Sequence, residues 1–416
     1  MLTAAIDSIC RDHGPRVLAG LIRRFGDFDL AEDALQDAFA KALEVWPARG
    51  LPTVPAAWLT TVAQRRALDL LRRRRSGPDY TDAPPDLAAL EEACADADPA
   101  DVSGVEDERL RLVFTCCHPA IGQAAQMALA LRTLCGLSTR EIARAFLEPE
   151  ATTAQRLVRV KKKIREARIP YAVPAQALLP ERLAAVLSVV YLMFNEGYAA
   201  TETPQLIRTD LCVEAIRLAR LMVELMPQEP EVIGLLALML LHHARRAARV
   251  DAAGALVSLE EQDRGRWDRA AVSEGMALLD RALALRRRGP YLLQAAIAAL
   301  HAQAQRALDT DWKQIAALYG GLLQEQPGAV VELNAAVALA MAEGPERGLE
   351  MIARLEDREE LQGYYLLPAA RADLLRRLGR LDDACQAYAA ALALVRNPAE
   401  RGYLKRRISE CGGRVP

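Results

Sequence analysis

The stretch AWLTTVAQRRALDLLRRRR, residues 57–75, reads as a helix that runs into a block of four arginines. At about 100° per residue, Leu59, Ala63, Ala67, Leu70 and Leu71 fall on one side, while Thr61, Gln64, Arg65, Arg72 and Arg75 gather on another. One side can pack; the other can meet phosphates. Asp69 is the only carboxylate inside the stretch, so local acids cannot neutralise Arg72, Arg73, Arg74 and Arg75, and a polyanion is the natural partner. The plainer alternative is a solvated basic helix end, which the helix dipole favours anyway. A second basic helix at residues 152–168, beyond an acidic stretch, shifts the balance toward a two-helix clamp on extended nucleic acid.

Upstream, Gly50, Pro52 and Pro55 make ARGLPTVP (residues 48–55) a constrained loop, and Pro47 predicts that the preceding helix stops near Trp46. That helix starts in GDFDLAED, with Asp29 as the expected N-cap and Glu32 and Asp33 in the first turn. Earlier still, Ile6, Ile9, Val17, Leu18, Leu21 and Ile22 recur at helical spacing, and Gly14-Pro15 divides them into two expected short helices.

Downstream, residues 76–107 change character. Prolines at 78, 84, 85 and 99 and a scatter of acids including Asp79, Glu91 and Asp101 predict a flexible acidic tether. Helical periodicity returns at 108–116 and 123–135. Ser138 and Glu141 then form a capping box, LEPEA makes a turn, and Thr152 or Thr153 is expected to cap the basic helix. Two short helices, a tight turn and a basic second helix form a helix-turn-helix pattern. Arg156, Arg159 and Lys163 share a stripe on that second helix, and Leu157, Val160 and Ile164 form the neighbouring stripe that docks on Ile142 and Phe146. In a major groove, Thr152, Thr153, Gln155 and Arg156 would approach base edges, and later cations such as Lys162 would hold phosphates.

From residue 181 to about 409 the chain reads as helix throughout. AAVALAMAEGPERGLEMI, from Ala335, overlays AARADLLRRLGRLDDACQAY, from Ala369, at an offset of 34 residues with a one-residue slip at a glycine turn. That spacing is the tetratricopeptide length, so a TPR-like solenoid is expected.

Bulk properties narrow the classes. The net charge is only -2 over 416 residues, so basic charge is local rather than global. The eight cysteines have no framework spacing and the N-terminus no basic-then-apolar leader, so reduced thiols and a cytoplasmic location are expected. The most apolar run, residues 183–194, is short of the ~20 residues a membrane span needs. Cys116, Cys117 and His118 invite a metal reading, but adjacent cysteines diverge on a helix and no CxxC accompanies them, so packing is favoured. His242-His243 reads as a helix edge near the surface rather than a ligand pair. No nucleophile–histidine–acid grouping and no phosphate loop can be read. No catalytic residue, metal or cofactor is expected.

AEDALQDAF (residues 31–39), the stretch at 57–75, and STREIAR followed by TTAQRLVRVKKKIREA resemble, in order and spacing, the sigma-70 family of RNA polymerase sigma factors, in its extracytoplasmic-function (ECF) group. The C-terminal part looks like the TPR-like extension of one subgroup, whose FTCCHP and FNEGY strings lie at residues 114–119 and 194–198. The resemblance implies that Asp33, Gln36 and Asp37 bind the clamp coiled coil of the polymerase largest subunit, with the flap as a second contact. It further implies that Trp58, Thr61, Gln64, Arg65 and Arg72 to Arg75 lie along the melted minus-10 element, with the loop at 48–55 holding a flipped base. Thr152, Thr153, Gln155, Arg156, Arg159, Lys162 and Lys163 would engage the minus-35 duplex.

The expected fold is therefore all-α: a region 2 domain (1–76), an acidic linker (77–106), a region 4 helix-turn-helix domain (107–169), a second linker (170–180) and a helical TPR-like domain (181–416). The last is expected to meet a regulatory partner or ligand. A helix-turn-helix regulator with a partner-sensing solenoid, or a helical scaffold, are the competing readings, and no membrane is expected.

Overall fold

A computed structural model describes residues 2–75, 105–146, 148–199, 207–251, 254–395 and 397–413. The protein is all-α, and among the described residues the single extended feature is an isolated antiparallel bridge between Val250 and Leu256. The tether expected at 76–107 lies almost wholly outside the described residues. The chain divides into two compact units, Met1–Met193 and Phe194–Pro416.

In the first unit, helices α1 (Leu2–Phe25), α2 (Phe28–Arg49) and α3 (Pro55–Arg75) pack on one another around Leu30, Ala34, Ala67, Leu68 and Leu71. The expected break at Gly14-Pro15 does not occur: α1 runs through Pro15. A proline inside a helix costs about 3 kcal/mol, but the unbroken helix buries Val17, Leu18, Leu21 and Ile22, each worth roughly 1.5–3 kcal/mol. The N-cap of α2 is Asp27, not Asp29; its carboxylate accepts from Asp29 N at 2.9 Å and Leu30 N at 3.0 Å. Burial of Phe28 pulls the start two residues earlier than the charge pattern implies. The helix also passes Pro47 and ends at Arg49, so only residues 50–54 remain as loop. Buried Trp46 anchors that last turn, and Gly50 N donates back to its carbonyl at 2.9 Å.

The second half of this unit holds α4 (Val105–Cys116), α5 (Gln123–Leu134), α6 (Thr139–Ala145) and α7 (Glu150–Glu166). The Ser138–Glu141 capping box is present, with Ser138 N donating to Glu141 Oε2 at 2.6 Å and Glu141 N to Ser138 Oγ at 3.2 Å. The threonine cap of α7 is absent: the helix begins at Glu150, after Pro149, and no side chain caps it. Proline fixes the extended backbone there, which places Thr152 and Thr153 already inside the first turn. Helix α1 also packs against α4 and α5, so both halves of the unit share one body.

Helix α8 (Leu179–Tyr198) contains the division between the units. The second unit continues with α9 (Thr209–Leu225), α10 (Pro230–His243), α11 (Arg269–Ala284), α12 (Pro290–Gln303), α13 (Trp312–Glu325), α14 (Ala329–Glu343), α15 (Pro345–Ala353), α16 (Leu366–Arg377), α17 (Leu381–Leu394) and α18 (Pro398–Glu410). Consecutive helices from α9 to α18 pack on one another. Gly344 and Gly379 lie in the turns after α14 and α16 with φ of 117° and 74°, conformations that favour glycine; Gly344 both ends α14 and opens α15, whereas Gly379 follows the Leu378 cap and precedes Arg380.

One feature departs from an open solenoid. The loop between α10 and α11 reaches the end of the chain: Leu256 N donates to Ala399 O at 3.3 Å, Glu260 pairs with Arg377, and Glu261 pairs with Arg406 at 2.9 Å and Arg407 at 2.8 Å.

Candidate nucleic-acid interface

On α3 the packed side is as the periodicity implies. Leu59, Ala63, Ala67 and Leu71 are buried, with Leu70 partly so. Arg65, Arg72 and Arg73 are exposed, and Asp69 pairs with Arg72 at 3.1 Å, leaving one local acid for the arginine block. The Arg74 and Arg75 side chains lie outside the described residues. Trp58 is half-buried, its ring edge-on to Trp46 with centroids 5.2 Å apart, so its orientation is set by the core beneath it. Gln64 is half-buried, and Thr61 spends its hydroxyl on Ala57 O at 3.0 Å.

On α2, Asp33 and Gln36 are exposed. Asp37 is held by Arg66 of α3 at 2.5 Å, which fixes the acid on the helix face. Nothing in the spacing of α3 marks Arg66 for this; it is one more arginine until α2 packs beside it.

On α7, Leu157, Val160 and Ile164 are buried against the unit, as is Ile142 of α6. Thr152, Gln155, Arg159 and Lys163 are exposed and, with half-buried Arg156, line one shallow hollow of about 310 Å³ closed by Ile121, Gly122 and Ala125. The spacing i, i+3, i+4, i+7, i+11 is one helical stripe, so the five side chains project together. Lys162 is exposed outside that hollow and pairs with Glu166 at 3.6 Å.

Thr153 must be removed from the base-reading set. It is fully buried and its hydroxyl donates to Glu148. Arg156 also donates to Glu148, Nη2 to Oε2 at 2.6 Å, and its guanidinium lies 5.3 Å over the Phe146 ring. The hydrogen bonds from Arg156 and Thr153 hold the Glu148 carboxyl below its usual range. In this arrangement Arg156 is engaged, while Arg159 forms no ion pair among the described residues. Arg159→Ala should leave thermal stability unchanged, whereas Arg156→Ala should lower it by about 1.5–3 kcal/mol through loss of charged hydrogen bonds; urea unfolding of both variants checks this.

Sequence reasoning missed the charges that join the two halves. Lys161 of α7 lies 2.9 Å from Asp29 and 2.8 Å from Glu32 of α2, and Arg132 of α5 stands 3.5 Å from Glu32. Burial lowers the Lys161 ammonium's pKa, but Glu32 and Asp29 more than offset it and hold it above the ordinary lysine range. The partners are some 130 residues apart, and no local pattern connects them.

Cys116 and Cys117 are buried, and burial raises the Cys116 thiol to about 12. The thiol contacts Thr133 Oγ1 at 3.6 Å. Among the described residues no group of His, Cys, Asp or Glu could hold a metal ion, and no helix is long and apolar enough to cross a membrane.

Residues 9–77 match the family Sigma-70 region 2, which spans α1 to α3. Residues 182–283 match a family of unknown function, DUF6596. An uncharacterised protein of Rhizobium meliloti (strain 1021) is 45% identical over 409 residues, 98% of this chain and 96% of its own. The "Probable ECF RNA polymerase sigma factor SigI" of Mycobacterium tuberculosis, in strains CDC 1551 / Oshkosh and ATCC 25618 / H37Rv, is 30% identical over 175 residues, 41% of this chain and 58% of that one. The α1–α3 group is the part of the chain that carries the region 2 match. The region 2 match and the 30% identity to an ECF sigma factor support an ECF-type sigma-70 factor, here with a C-terminal helical extension. Sigma factors are not enzymes; they act in transcription initiation with core RNA polymerase on promoter DNA.

Proposed function

We propose that α7 reads the minus-35 element through Thr152, Gln155, Arg156 and Arg159, with Lys162 and Lys163 on phosphates, while Trp58, Thr61, Gln64, Arg65 and the arginines from 72 to 75 of α3 guide the opened minus-10 strand. The observation that carries this reading is the α7 stripe: five polar or cationic side chains project from one exposed face after a capped helix and a turn. Bidentate arginine contacts to guanine and amide contacts to adenine need that projection. Half-buried Trp58 offers a ring held by Trp46 for stacking, and the exposed arginines offer charge for backbone tracking.

Asp33, Gln36 and Asp37 dock on the basic coiled coil of the polymerase largest subunit. An exposed acidic face with Asp37 pinned by Arg66 supports this role. The polymerase flap meets the α4–α7 half. The C-terminal unit acts in cis on these functions, and the division into functional segments at 76, 107, 169 and 181 follows the sequence reading.

Run-off transcription with added core polymerase tests the reading. A defined start that requires both the protein and the core is expected. Arg159→Ala should cost about 1–3 kcal/mol at one base position if the residue reads a base edge. Equal loss on every promoter would mark a phosphate contact instead, and duplex binding without polymerase-dependent initiation would favour a plain helix-turn-helix regulator.

A further inference from the structure

The FNEGY string at residues 194–198, which the sigma role leaves unused, closes α8 inside the second unit. Gly197 allows a close approach there: a Cβ at that position would lie 2.7 Å from Cys212 N of α9. Phe194 stacks on Tyr198 at 5.7 Å, and His242 lies 5.3 Å from the Tyr198 ring.

Around these rings guanidiniums and aromatics alternate. Arg249 sits 3.5 Å over Tyr198; Arg245 lies 5.9 Å from Tyr198 and 5.8 Å from Trp267; Arg264 lies 5.0 Å from Trp267. Arg249 and Arg264 are each only 8% exposed, yet none of the three arginines forms an ion pair among the described residues. Arg249 donates to Tyr198 O, Arg264 to His301 O and Ala304 O, and Arg245 to Tyr198 Oη at 2.6 Å. Of the carboxylates whose fields reach them, Asp309 is paired with Arg306, whereas Glu400 accepts from the neutral Tyr365 Oη at 2.5 Å and keeps its negative charge toward Arg249.

The charge does not cancel. A helix C-terminus supplies about half a negative charge, so the ends of α8 and α12 together with the Glu400 carboxylate offset roughly two of three full positive charges. His242 and His301 add none, because burial first and the neighbouring arginines second keep both neutral. Three buried polar atoms in the same neighbourhood lack a hydrogen-bond partner: Arg264 Nε, Trp267 Nε1 and Gln262 Oε1. Two of these are donors, and an unmet buried donor costs about 1–3 kcal/mol.

We propose that this cluster of Arg245, Arg249 and Arg264, ringed by Tyr198 and Trp267, is a binding site for a small oxyanion carried as a phosphate or a carboxylate. The guanidinium fork matches both groups, and the unpartnered donors supply what an acceptor-rich ligand needs. The site lies in the segment that matches DUF6596 and does not depend on how α3 and α7 engage DNA.

The test uses the full chain at constant ionic strength, titrated with inorganic phosphate, with malonate and with chloride, and follows thermal unfolding and tryptophan fluorescence. Saturable stabilisation by phosphate or by malonate, absent with chloride, is expected, and the responding anion assigns the ligand class. Arg245→Gln, which removes the least buried of the three guanidiniums, should weaken that response at least tenfold. A response that grows without saturation in all three salts, that is absent throughout, or that persists unchanged in Arg245→Gln overturns the proposal. Should that variant fail to fold, Trp267→Phe replaces it; a fluorescence response that survives there overturns the proposal equally.

Discussion

Lys161→Glu is expected to lower the unfolding free energy of the N-terminal unit by about 3–5 kcal/mol, the range for breaking one side of a buried ion pair. The Lys161 side chain is 11% exposed and that of Glu32 15%, so their attraction is poorly screened. Asp29 is half-exposed and contributes less. The substitution places a third carboxylate beside Asp29 and Glu32 with Arg132 as the remaining cation. Urea unfolding and protease susceptibility of the α2–α7 contact measure the effect, and the charge swap Lys161→Glu with Glu32→Lys should recover only part of it, because position 32 also faces Arg132 and position 161 also faces Asp29. If the single variant is as stable as the parent, α7 does not lean on α2 in solution.

Acid should destabilise the C-terminal unit well before carboxylates titrate. His243 and His301 are pushed down from 6.5 to about 4 and His242 well below its usual value, in each case by burial first and neighbouring arginines second. A folded-state pKa below the unfolded one means that the unfolded chain takes up protons first. The contribution of each neutral histidine is complete above pH 6.5 and is lost as pH falls toward 4. By pH 5 His243 and His301 each account for about 2 kcal/mol. Unfolding midpoints between pH 7.5 and 5 should therefore drop steeply, and His301→Gln should flatten the slope by roughly one proton's worth. A flat profile above pH 5 would show that these imidazoles charge freely.

Helices and their packed faces were legible because period and burial agree. Leu59, Ala63 and Ala67 on α3 and Leu157, Val160 and Ile164 on α7 are inside, as their spacing implies. The Ser138–Glu141 cap was legible because both partners lie within one turn. Boundaries governed by tertiary burial were not: Pro15 stays inside α1, and Asp27 caps α2 because Phe28 is drawn into the core. Thr153 was placed on the DNA-facing set by its position, yet Glu148 takes its hydroxyl inward. Lys161 with Asp29 and Glu32, and the arginines around Tyr198 and Trp267, became visible only once distant helices were brought together.

The grip of the 250–262 loop on α16 and α18 changes what kind of object the C-terminal unit is. A linear array of hairpins peels from its ends, each repeat melting on terms set by its neighbours. Here the last helix is fastened to the first third of the array by Arg406, Arg407 and the Ala399 carbonyl, and α16 by Arg377, so the C-terminal end is not loose. Such a closed circuit melts as a single step, and shortening the chain by its final helix undoes the anchorage of residues far upstream.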